Sequence, residues 1–458
     1  MRKVLIANRG EIARRVVRAC RELDLATVAV YSEADEAALH VREADEAVPI
    51  GKAHARHSYL NVERLIAAAR ESGADAIHPG YGFLSESARF AEACAAAGIT
   101  FVGPSASAIA AMGDKAAARG LARKADVPVI PGGDASGAGD AALSTAEEVG
   151  YPVLVKAAAG GGGRGIRVAH HAEELREALG AAAREAEAAF GDPSLYIEKL
   201  LEEARHVEVQ VVGRGDGEVI HLYERECSLQ RRRQKVLEES PSPRLHPPTR
   251  AAIAAAAVRL AAAVEYRGAG TVEFLVDRKE HFYFIEMNTR LQVEHGVTEM
   301  VTGIDLVRAQ LLIAAGEPLE FTQDEVRIKG CDIEFRINAE DPDGDFQPSP
   351  GRLAVVELPG GPGVRVDTGV MAGCSVQPFY DSMVAKLLVH GRDRAQTLAR
   401  ARRALHELEI EGISTTQALH RSLLDWPGLA EATAHTQALE AFLEEGTPLR
   451  VSSLSARA

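Results

Sequence analysis

Apolar residues near the start of the chain follow two spacings in turn, short continuous runs and a helical period. The run VLIA precedes a helical pattern from Glu11 to Leu23, and the strand-like TVAVYS comes next. Two more short runs, DAIHPG and ITFVGP, flank the helical stretch SARFAEACAAAG. This alternation predicts a Rossmann-like α/β domain ending near Met112. Its first turn, NRGE, lacks GxGxxG, so we do not predict a dinucleotide site.

The middle of the chain predicts two further helices and a series of strands. One helix should follow Asp114, a good capping residue, and another should run from Ala172 to Phe190. YPVLVKAAA and IRVA are predicted strands around the loop GGGGRG, and LYIEKLL is a further short apolar segment. RHVEVQVVG and EVIHLYERECS then alternate as strands do.

A proline-rich connection at 241–248 separates this region from the last third of the chain. A helix is predicted from Ala251 to Glu265. From Lys329 the pattern is rich in strands, as in DIEFRINAE, and a last helix is expected near Asp393 to Leu408.

The segment FIEMNTRLQVEH carries the most chemical information. From Glu286 to Glu294 the even positions are all polar, and from Ile285 to Val293 the odd positions are apolar except for one threonine. An extended run would therefore place an apolar face on a core and the polar side chains on the other face. A solvated strand face or a polar loop beyond Thr289 are the simpler interpretations. We favour a site that binds a cation and an anion together, because the polar set is Glu286, Asn288, Arg290, Gln292 and Glu294.

The preceding residues support a metal site. TVEFLVD and HFYFIEMN are predicted to form a hairpin whose turn centres on Arg278-Lys279. That register puts Glu273 opposite Phe284 and makes Glu286 its diagonal neighbour, roughly 7–8 Å away. Two carboxylates and an amide oxygen suit Mg²⁺, which usually shares its shell with substrate phosphates. The pattern therefore predicts a nucleoside triphosphate nearby.

Glycine and basic residues offer candidate anion contacts. GGGGRG is not a Walker A loop, since it lacks GK[ST] and a strand follows it. A flexible hairpin turn is the simpler interpretation, but Lys156 at the end of the preceding strand favours a phosphate-covering loop. Lys115 is a second phosphate candidate, although alone it would be interpreted as a surface lysine. The basic run 231–235 is either a surface turn or a contact for phosphate or bicarbonate.

Composition narrows the class of protein. The chain has 458 residues, 46% of them hydrophobic, and a formal net charge of −14. We therefore expect a soluble protein of two or three domains whose main partner is not nucleic acid. No signal peptide or membrane span is predicted. The five scattered cysteines indicate free thiols in a reducing cytoplasm and no zinc site.

Several motifs together resemble one family, biotin carboxylase, an ATP-grasp enzyme. The matching stretches run from residue 3 to about 420, and HPGYGFLSE with EMNTRLQVEH is the most specific pair. The others are IANRGEIA, GDK, KAAAGGGGRG, RHVEVQV, RECSLQRRRQKV, RINAEDP and YDSM.

The resemblance implies an α/β fold of three domains. These are a Rossmann-like N-terminal domain (1–112), an ATP-grasp domain (113–330) with a glycine-loop lid at about 130–202, and a strand-rich C-terminal domain (331–446). It implies that ATP, Mg²⁺ (or Mn²⁺) and bicarbonate form carboxyphosphate, and that biotin is then carboxylated at N1′.

The resemblance also implies roles for individual residues. Phosphate contacts fall to Lys115, Lys156, Gly162 and Gly163, and metal ligation to Glu273, Glu286 and Asn288. Glu198, Lys199, Leu200 and Leu201 would line the adenine, with His206, Gln230 and Arg233 near the nucleotide. Lys235, Arg290, Gln292 and the Val293 backbone would hold bicarbonate, with Glu294 as general base. Arg336 would stabilise the biotin enolate, and Tyr81 would lie beside the biotin pocket.

Two positions depart from the commonest family pattern. The family often has His at the position of Arg233 and Pro at the position of Gly296. The first departure concerns a nucleotide contact, and the second concerns the rigidity of the loop that carries Glu294. No biotin-acceptor MKM motif occurs in the sequence.

The missing motif leads us to expect a separate biotin carboxyl carrier protein and separate carboxyltransferase subunits, which would choose the final acceptor, and the family suggests a homodimer. Two alternatives stay open: another ATP-grasp ligase that activates bicarbonate or a carboxylate, and a non-catalytic subunit that docks the carrier.

Overall fold

The computed structural model describes residues 1–135, 139–157, 167–190 and 193–445. Within these ranges the chain is a mixture of helices and strands. The helices are α1 Gly10–Glu22, α2 Leu39–Glu43, α3 Val62–Ser72, α4 Ala88–Ala96, α5 Ala106–Gly113, α6 Lys115–Lys124, α7 Gly139–Val149, α8 Ala172–Phe190, α9 Pro247–Ala263, α10 His295–Thr302, α11 Leu306–Ala315, α12 Arg394–Glu407, α13 Gln417–Leu423, α14 Pro427–Ala430 and α15 Ala438–Glu444.

The strands are β1 Lys3–Ile6, β2 Ala26–Ser32, β3 Glu46–Gly51, β4 Ala76–His78, β5 Thr100–Phe101, β6 Gly132–Asp134, β7 Val153–Ala157, β8 Arg167–Ala169, β9 Leu195–Lys199, β10 Arg205–Arg214, β11 Val219–Arg231, β12 Gln234–Ser240, β13 Arg267–Val276, β14 Phe282–Asn288, β15 Cys331–Asn338, β16 Glu340–Asp341, β17 Gln347–Pro348, β18 Gly351–Arg352, β19 Val355–Glu357, β20 Val364–Thr368, β21 Ser375–Val376, β22 Met383–Gly391 and β23 Glu409–Glu411.

The first sheet is parallel and has the order β3-β2-β1-β4-β5. This confirms the Rossmann-like opening, since β1, α1 and β2 follow the predicted strand, helix and strand. Apolar side chains of β1 and α1 also pack in one core with Val212, Ala269 and Leu291. That shared core fixes the first sheet against the second one.

The second sheet is antiparallel and has eight strands in the order β14-β13-β10-β11-β12-β15-β22-β20. It draws strands from both the second and the third predicted domains, because β12 pairs with β15. The domain boundaries remain predictions. The strands that supply polar residues to the candidate site belong to this sheet, apart from β7 and β9, which carry Lys156 and Glu198.

A smaller antiparallel sheet, β6-β9-β7-β8, forms a separate layer. Its core joins apolar residues of α7 and α8 to Val153, Val155 and Ile197. Helix α8 has the predicted bounds. The glycine loop with Gly162 and Gly163 lies outside the described residues.

Three details of the predicted elements are wrong. Helix α9 begins at Pro247, inside the supposed connection, because proline suits the first turn of a helix. The helix near Asp393 is not the last, since the short α13, α14 and α15 follow it. The predicted register of the β13–β14 hairpin also fails: Glu273 pairs directly with Glu286, because Ile285 is an extra residue in a β-bulge.

The five cysteines are free thiols, and all except Cys374 are buried. Across the described ranges, no helix is both long enough and apolar enough to cross a membrane.

Candidate active site

One row of paired positions crosses four strands of the large sheet. Glu286 pairs with Glu273, Glu273 with Glu208, and Glu208 with Arg225. Paired residues of neighbouring strands lie on the same face of a sheet, so three carboxylates and a guanidinium form a continuous line. Glu208 and Arg225 are fully buried, and so many buried charges require close pairing.

Lys235 supplies the central cation. Its Nζ donates hydrogen bonds to Glu208 at 2.5 Å, to Glu294 at 2.6 Å and to Glu273 at 3.1 Å. Lys235 reaches these carboxylates because it lies near the start of β12, just after the tight turn from β11. Burial would lower its pKa, but the surrounding carboxylates, with Glu208 first, hold the pKa well above its ordinary value.

The pKa values of two of these carboxylates are shifted in the opposite direction, downwards. Burial would raise the pKa of Glu294, but Lys235 and then Arg336 hold it far below its usual range. The pKa of Glu273 is likewise lowered, by Lys235 and His206 against burial. Both groups are therefore ionised at neutral pH.

Arg336 joins Glu294 to a second buried carboxylate. Its guanidinium donates to Glu294 at 3.0 Å and to Glu238 at 2.6 Å. Burial raises the pKa of Glu238 to about 7, with Arg336 opposing the shift and Glu294 adding to it. Glu294 is thus held between two cations, Lys235 and Arg336, which is the setting for a base that must stay ionised.

The polar residues of the FIEMNTRLQVEH segment converge on Glu273. Asn288 Nδ2 and Gln292 Nε2 each donate to its Oε1 at 2.8 Å. Arg290 donates to Asn288 Oδ1 at 3.1 Å and to Glu86 at 2.9 Å. Glu86 belongs to the HPGYGFLSE motif, so this contact brings the two most specific motifs of the sequence together.

The predicted metal ligands fit a hard divalent cation. Glu286 faces Glu273 across the hairpin, and its pKa is raised by burial and by repulsion from Glu273. A bound cation would relieve this repulsion between two carboxylates, and Asn288 adds an amide oxygen. His206 Nε2 also lies 3.0 Å from Glu273.

A second group of potential ligands combines Glu208, Cys227 and Glu294. The Lys235 ammonium already contacts both carboxylates, and burial raises the pKa of the Cys227 thiol. The Lys235 ammonium therefore takes the position that a metal ion would have in this group.

Four basic residues lie close to one another: Lys115, Arg119, Lys156 and Arg233. Lys156 contacts Glu198, which also pairs with Arg119. Burial, with repulsion from Arg119, Arg233 and Lys115, lowers the pKa of Lys156 to about 8. Cations close enough to repel each other suit a polyphosphate, whose charge would stabilise all of them.

The other predicted nucleotide residues lie on or just after the strands β9, β10 and β11. Lys199 donates to the carbonyls of Gly150 and Tyr151, so its side chain is used within the small sheet. Leu200 and Leu201 follow it at the end of β9. The Gln230 amide lies 3.1 Å from the His206 ring, which it orients.

The residues of the basic run form two kinds of contact: ion pairs at the surface and ion pairs with buried carboxylates. Arg231 and Arg232 pair with Asp345 at the surface, so the interpretation as a surface turn holds for them. Arg232 and Arg233 both have positive φ and form the tight turn between β11 and β12. Lys235 alone turns inward, and Arg233 is exposed.

Tyr81 lies shortly after β4, in the first predicted domain. Its hydroxyl donates to Glu11, and its carbonyl accepts a bond of 2.7 Å from Asn8. The other departure from the family pattern, Gly296, lies in the first turn of α10, where a Cβ would come within 2.4 Å of Leu388. The close packing leaves no loose loop at this position.

Sequence reasoning missed five residues that shape the site: Glu86, Arg119, Glu208, Arg225 and Glu238. Strand alternation could have found Glu208, since His206, Glu208 and Gln210 alternate with valines in RHVEVQV. The pairing of Arg225 with Glu208 needs the strand register, which local patterns do not provide.

Models of known protein families match three successive parts of the chain. Family models described as biotin carboxylase N-terminal domain, carbamoyl-phosphate synthase L chain ATP binding domain and biotin carboxylase C-terminal domain match residues 1–109, 114–322 and 334–441.

Individual relatives give the same result. Biotin carboxylase 1 of Bacillus subtilis is 52% identical over 96% of this chain and 99% of the relative. The biotin carboxylase of Pseudomonas aeruginosa is 53% identical over 93% of this chain and 94% of the relative. The biotin carboxylase domain dimer of Hydrogenobacter thermophilus 2-oxoglutarate carboxylase, in complex with MgADP, ADP and bicarbonate, is 46% identical, with a TM-score of 0.89 over 97% of this chain and 98% of that one.

Proposed function

The chain belongs to the biotin carboxylase family, and we propose that the site around Lys235 carries out ATP-dependent carboxylation of biotin with bicarbonate. The observation that supports this most strongly is the position of Glu294. Lys235 and Arg336 contact its two oxygens at 2.6 and 3.0 Å. One carboxylate is thus shared by a cation assigned to bicarbonate and a cation assigned to biotin.

In the first step, Glu294 takes the proton of bicarbonate. Its low pKa keeps it ionised, but the same two cations make it a weak base. We therefore propose that bicarbonate draws the Lys235 hydrogen bond away from Glu294, which raises the basicity of the carboxylate at the moment of proton transfer. Arg290, Gln292 and the Val293 backbone would orient the anion.

An oxygen of the deprotonated bicarbonate then attacks the γ-phosphorus of ATP. The new P–O bond forms as the bond to ADP breaks, and ADP leaves with the electron pair, giving carboxyphosphate. Lys115, Lys156, Arg119 and Arg233 would hold the phosphates on the other side. Glu273, Glu286 and Asn288 would hold a divalent cation, which would neutralise further phosphate charge.

In the second step, carboxyphosphate breaks into CO₂ and phosphate. Phosphate takes the N1′ proton of biotin, and N1′ then bonds to CO₂. Arg336 would stabilise the negative charge that develops on the ureido oxygen, with Tyr81 beside the ring. Glu238 would keep the Arg336 guanidinium in place.

The partners of the chain are part of the proposal. Biotin would arrive on a carrier protein, and carboxyltransferase subunits would receive the carboxyl group. The dimeric Hydrogenobacter relative supports a homodimer for this chain as well.

Two variants test the division of roles. Glu294→Gln keeps the side-chain size but accepts no proton, so it should abolish both bicarbonate-dependent ADP release and biotin carboxylation. Arg336→Gln should lose carboxyl transfer but keep part of the ADP release, because carboxyphosphate still forms. Arg232→Gln, on the exposed turn, is the matched control for Arg336→Gln. Equal loss of both activities in the two variants would contradict these roles.

A further inference from the structure

We propose that Lys386 and His295 are positioning residues that fix the two peptide units on either side of Val293. The inference rests on the proposed function, in which the Val293 backbone holds bicarbonate. Neither residue reaches the assigned catalytic groups, but each holds a carbonyl of the segment that carries Glu294.

Lys386 lies in the middle of β22 and is fully buried. Its Nζ donates a 2.7 Å hydrogen bond to the Val293 carbonyl and lies 3.4 Å from Glu11 and 4.0 Å from Asp367. Burial would lower its pKa, but Glu11 and other acidic neighbours hold the pKa above its ordinary value. The donor to the Val293 carbonyl is therefore a charged ammonium group.

His295 performs the same task one peptide earlier. It is the first residue of α10 and is fully buried, with Nδ1 2.7 Å from the Gln292 carbonyl. Burial lowers the pKa of its imidazole to about 3. A neutral imidazole beside a carbonyl must carry its proton on Nδ1, because the carbonyl oxygen only accepts.

Because the peptide unit is planar, these two contacts fix the direction of the N–H groups of Val293 and Glu294. In a trans peptide the N–H points away from the C=O of the same unit. The His295 contact therefore aims the Val293 N–H away from His295, and the Lys386 contact aims the Glu294 N–H away from β22. Within the described part of the chain, neither N–H donates to a protein acceptor. Two adjacent donors thus remain available for an anion.

Strand β22 supports the segment at a second point. Leu388, two residues after Lys386, packs so close to Gly296 that a Cβ there would lie 2.4 Å from Leu388 Cδ2. The segment that leads into α10 is therefore fixed to β22 at two points: by packing of Leu388 against Gly296 and by the hydrogen bond from Lys386 to the Val293 carbonyl. Such fixed donors need no rearrangement when the anion binds.

Lys386→Met and His295→Phe each remove one donor while keeping the shape of the side chain. Each should raise the KM for bicarbonate about tenfold or more, since small displacements of binding groups have large effects. The KM for ATP should stay within about twofold, because the nucleotide contacts lie on other elements. Arg394→Met is the matched control. It removes a cation from a different ion pair, with Glu239, and contacts neither Lys386 nor Val293, so its KM for bicarbonate should not change.

Failure of the positioning role can be distinguished from failure of the proposed function. If the wild-type protein releases no ADP in response to bicarbonate, both fail. If it does, but the bicarbonate KM of the folded variants is unchanged or rises in proportion to the ATP KM, only the positioning role fails.

A measurement on the wild-type chain does not depend on variants that fold. Hydrogen exchange in the peptide covering residues 289–294 should slow when bicarbonate is added with MgADP. Unchanged exchange at saturating bicarbonate would overturn the inference.

Discussion

Replacing Lys235 by Met tests the electrostatic organisation of the site. The ammonium contacts three carboxylates at 2.5, 2.6 and 3.1 Å. Each would keep another partner in Lys235→Met: Arg225 for Glu208, Arg336 for Glu294 and His206 for Glu273. Breaking a buried ion pair costs about 3–5 kcal/mol. The remaining partners place the expected loss in the free energy of unfolding near the lower end, about 3 kcal/mol.

The loss should depend on pH with a definite sign. In the wild-type protein the pKa values of Glu273 and Glu294 are lowered, so both carboxylates stabilise the fold above their ordinary pKa, and that contribution disappears as the pH falls through the lowered values. Without Lys235 the folded-state pKa values rise. The difference between wild type and Lys235→Met should therefore be largest near pH 8 and shrink towards pH 4.

Urea unfolding at several pH values measures this difference. Arg232→Met is the matched control, because Arg232 is a neighbouring, exposed cation on a surface ion pair, where removal costs at most about 1 kcal/mol. If Lys235→Met loses no more stability than Arg232→Met, or if its deficit grows as the pH falls, the electrostatic reasoning is wrong.

Strand and helix positions followed from the sequence wherever the hydrophobic period was long. The strands β10, β11 and β15 lie where the alternation of side chains predicted them, and helix α8 lies where the alanine- and glutamate-rich composition predicted it. These are local properties of the chain. The start of α9 was misplaced because proline was treated as a breaker, although it fits the first turn.

The geometry of the site depends on contacts between distant segments, which local patterns do not contain. The bulge at Ile285 changed the partner of Glu273 from Phe284 to Glu286. Glu86 contacts Arg290 across 204 positions of sequence. The residue pattern and the resemblance together supplied the candidate residues, but the central position of Lys235 among three carboxylates emerged only from the fold.

Three further predictions concern single positions. Glu286→Gln should lower the rate of ADP release at saturating Mg²⁺ about a hundredfold or more, with an unchanged urea midpoint, and near-normal turnover would remove Glu286 from the metal site. Gly296→Ala should cost about 1–3 kcal/mol of stability because its Cβ meets Leu388. Adding Leu388→Ala should recover part of that loss, and no recovery would place the strain elsewhere. Arg233→Ala should raise the KM for ATP several-fold, whereas Arg232→Ala should not, and equal effects would place Arg233 outside the nucleotide site.

The most direct measurement of the central claim follows an oxygen atom. Freshly added ¹⁸O-labelled bicarbonate should transfer one labelled oxygen to the phosphate released from ATP, because that oxygen bridges carbon and phosphorus in carboxyphosphate. Mass spectrometry of the phosphate from the wild-type protein and from Glu294→Gln detects the transfer. We predict singly labelled phosphate from the wild type and no bicarbonate-dependent phosphate from Glu294→Gln. Unlabelled phosphate from the wild type would mean that water attacks ATP, and would contradict the proposed reaction.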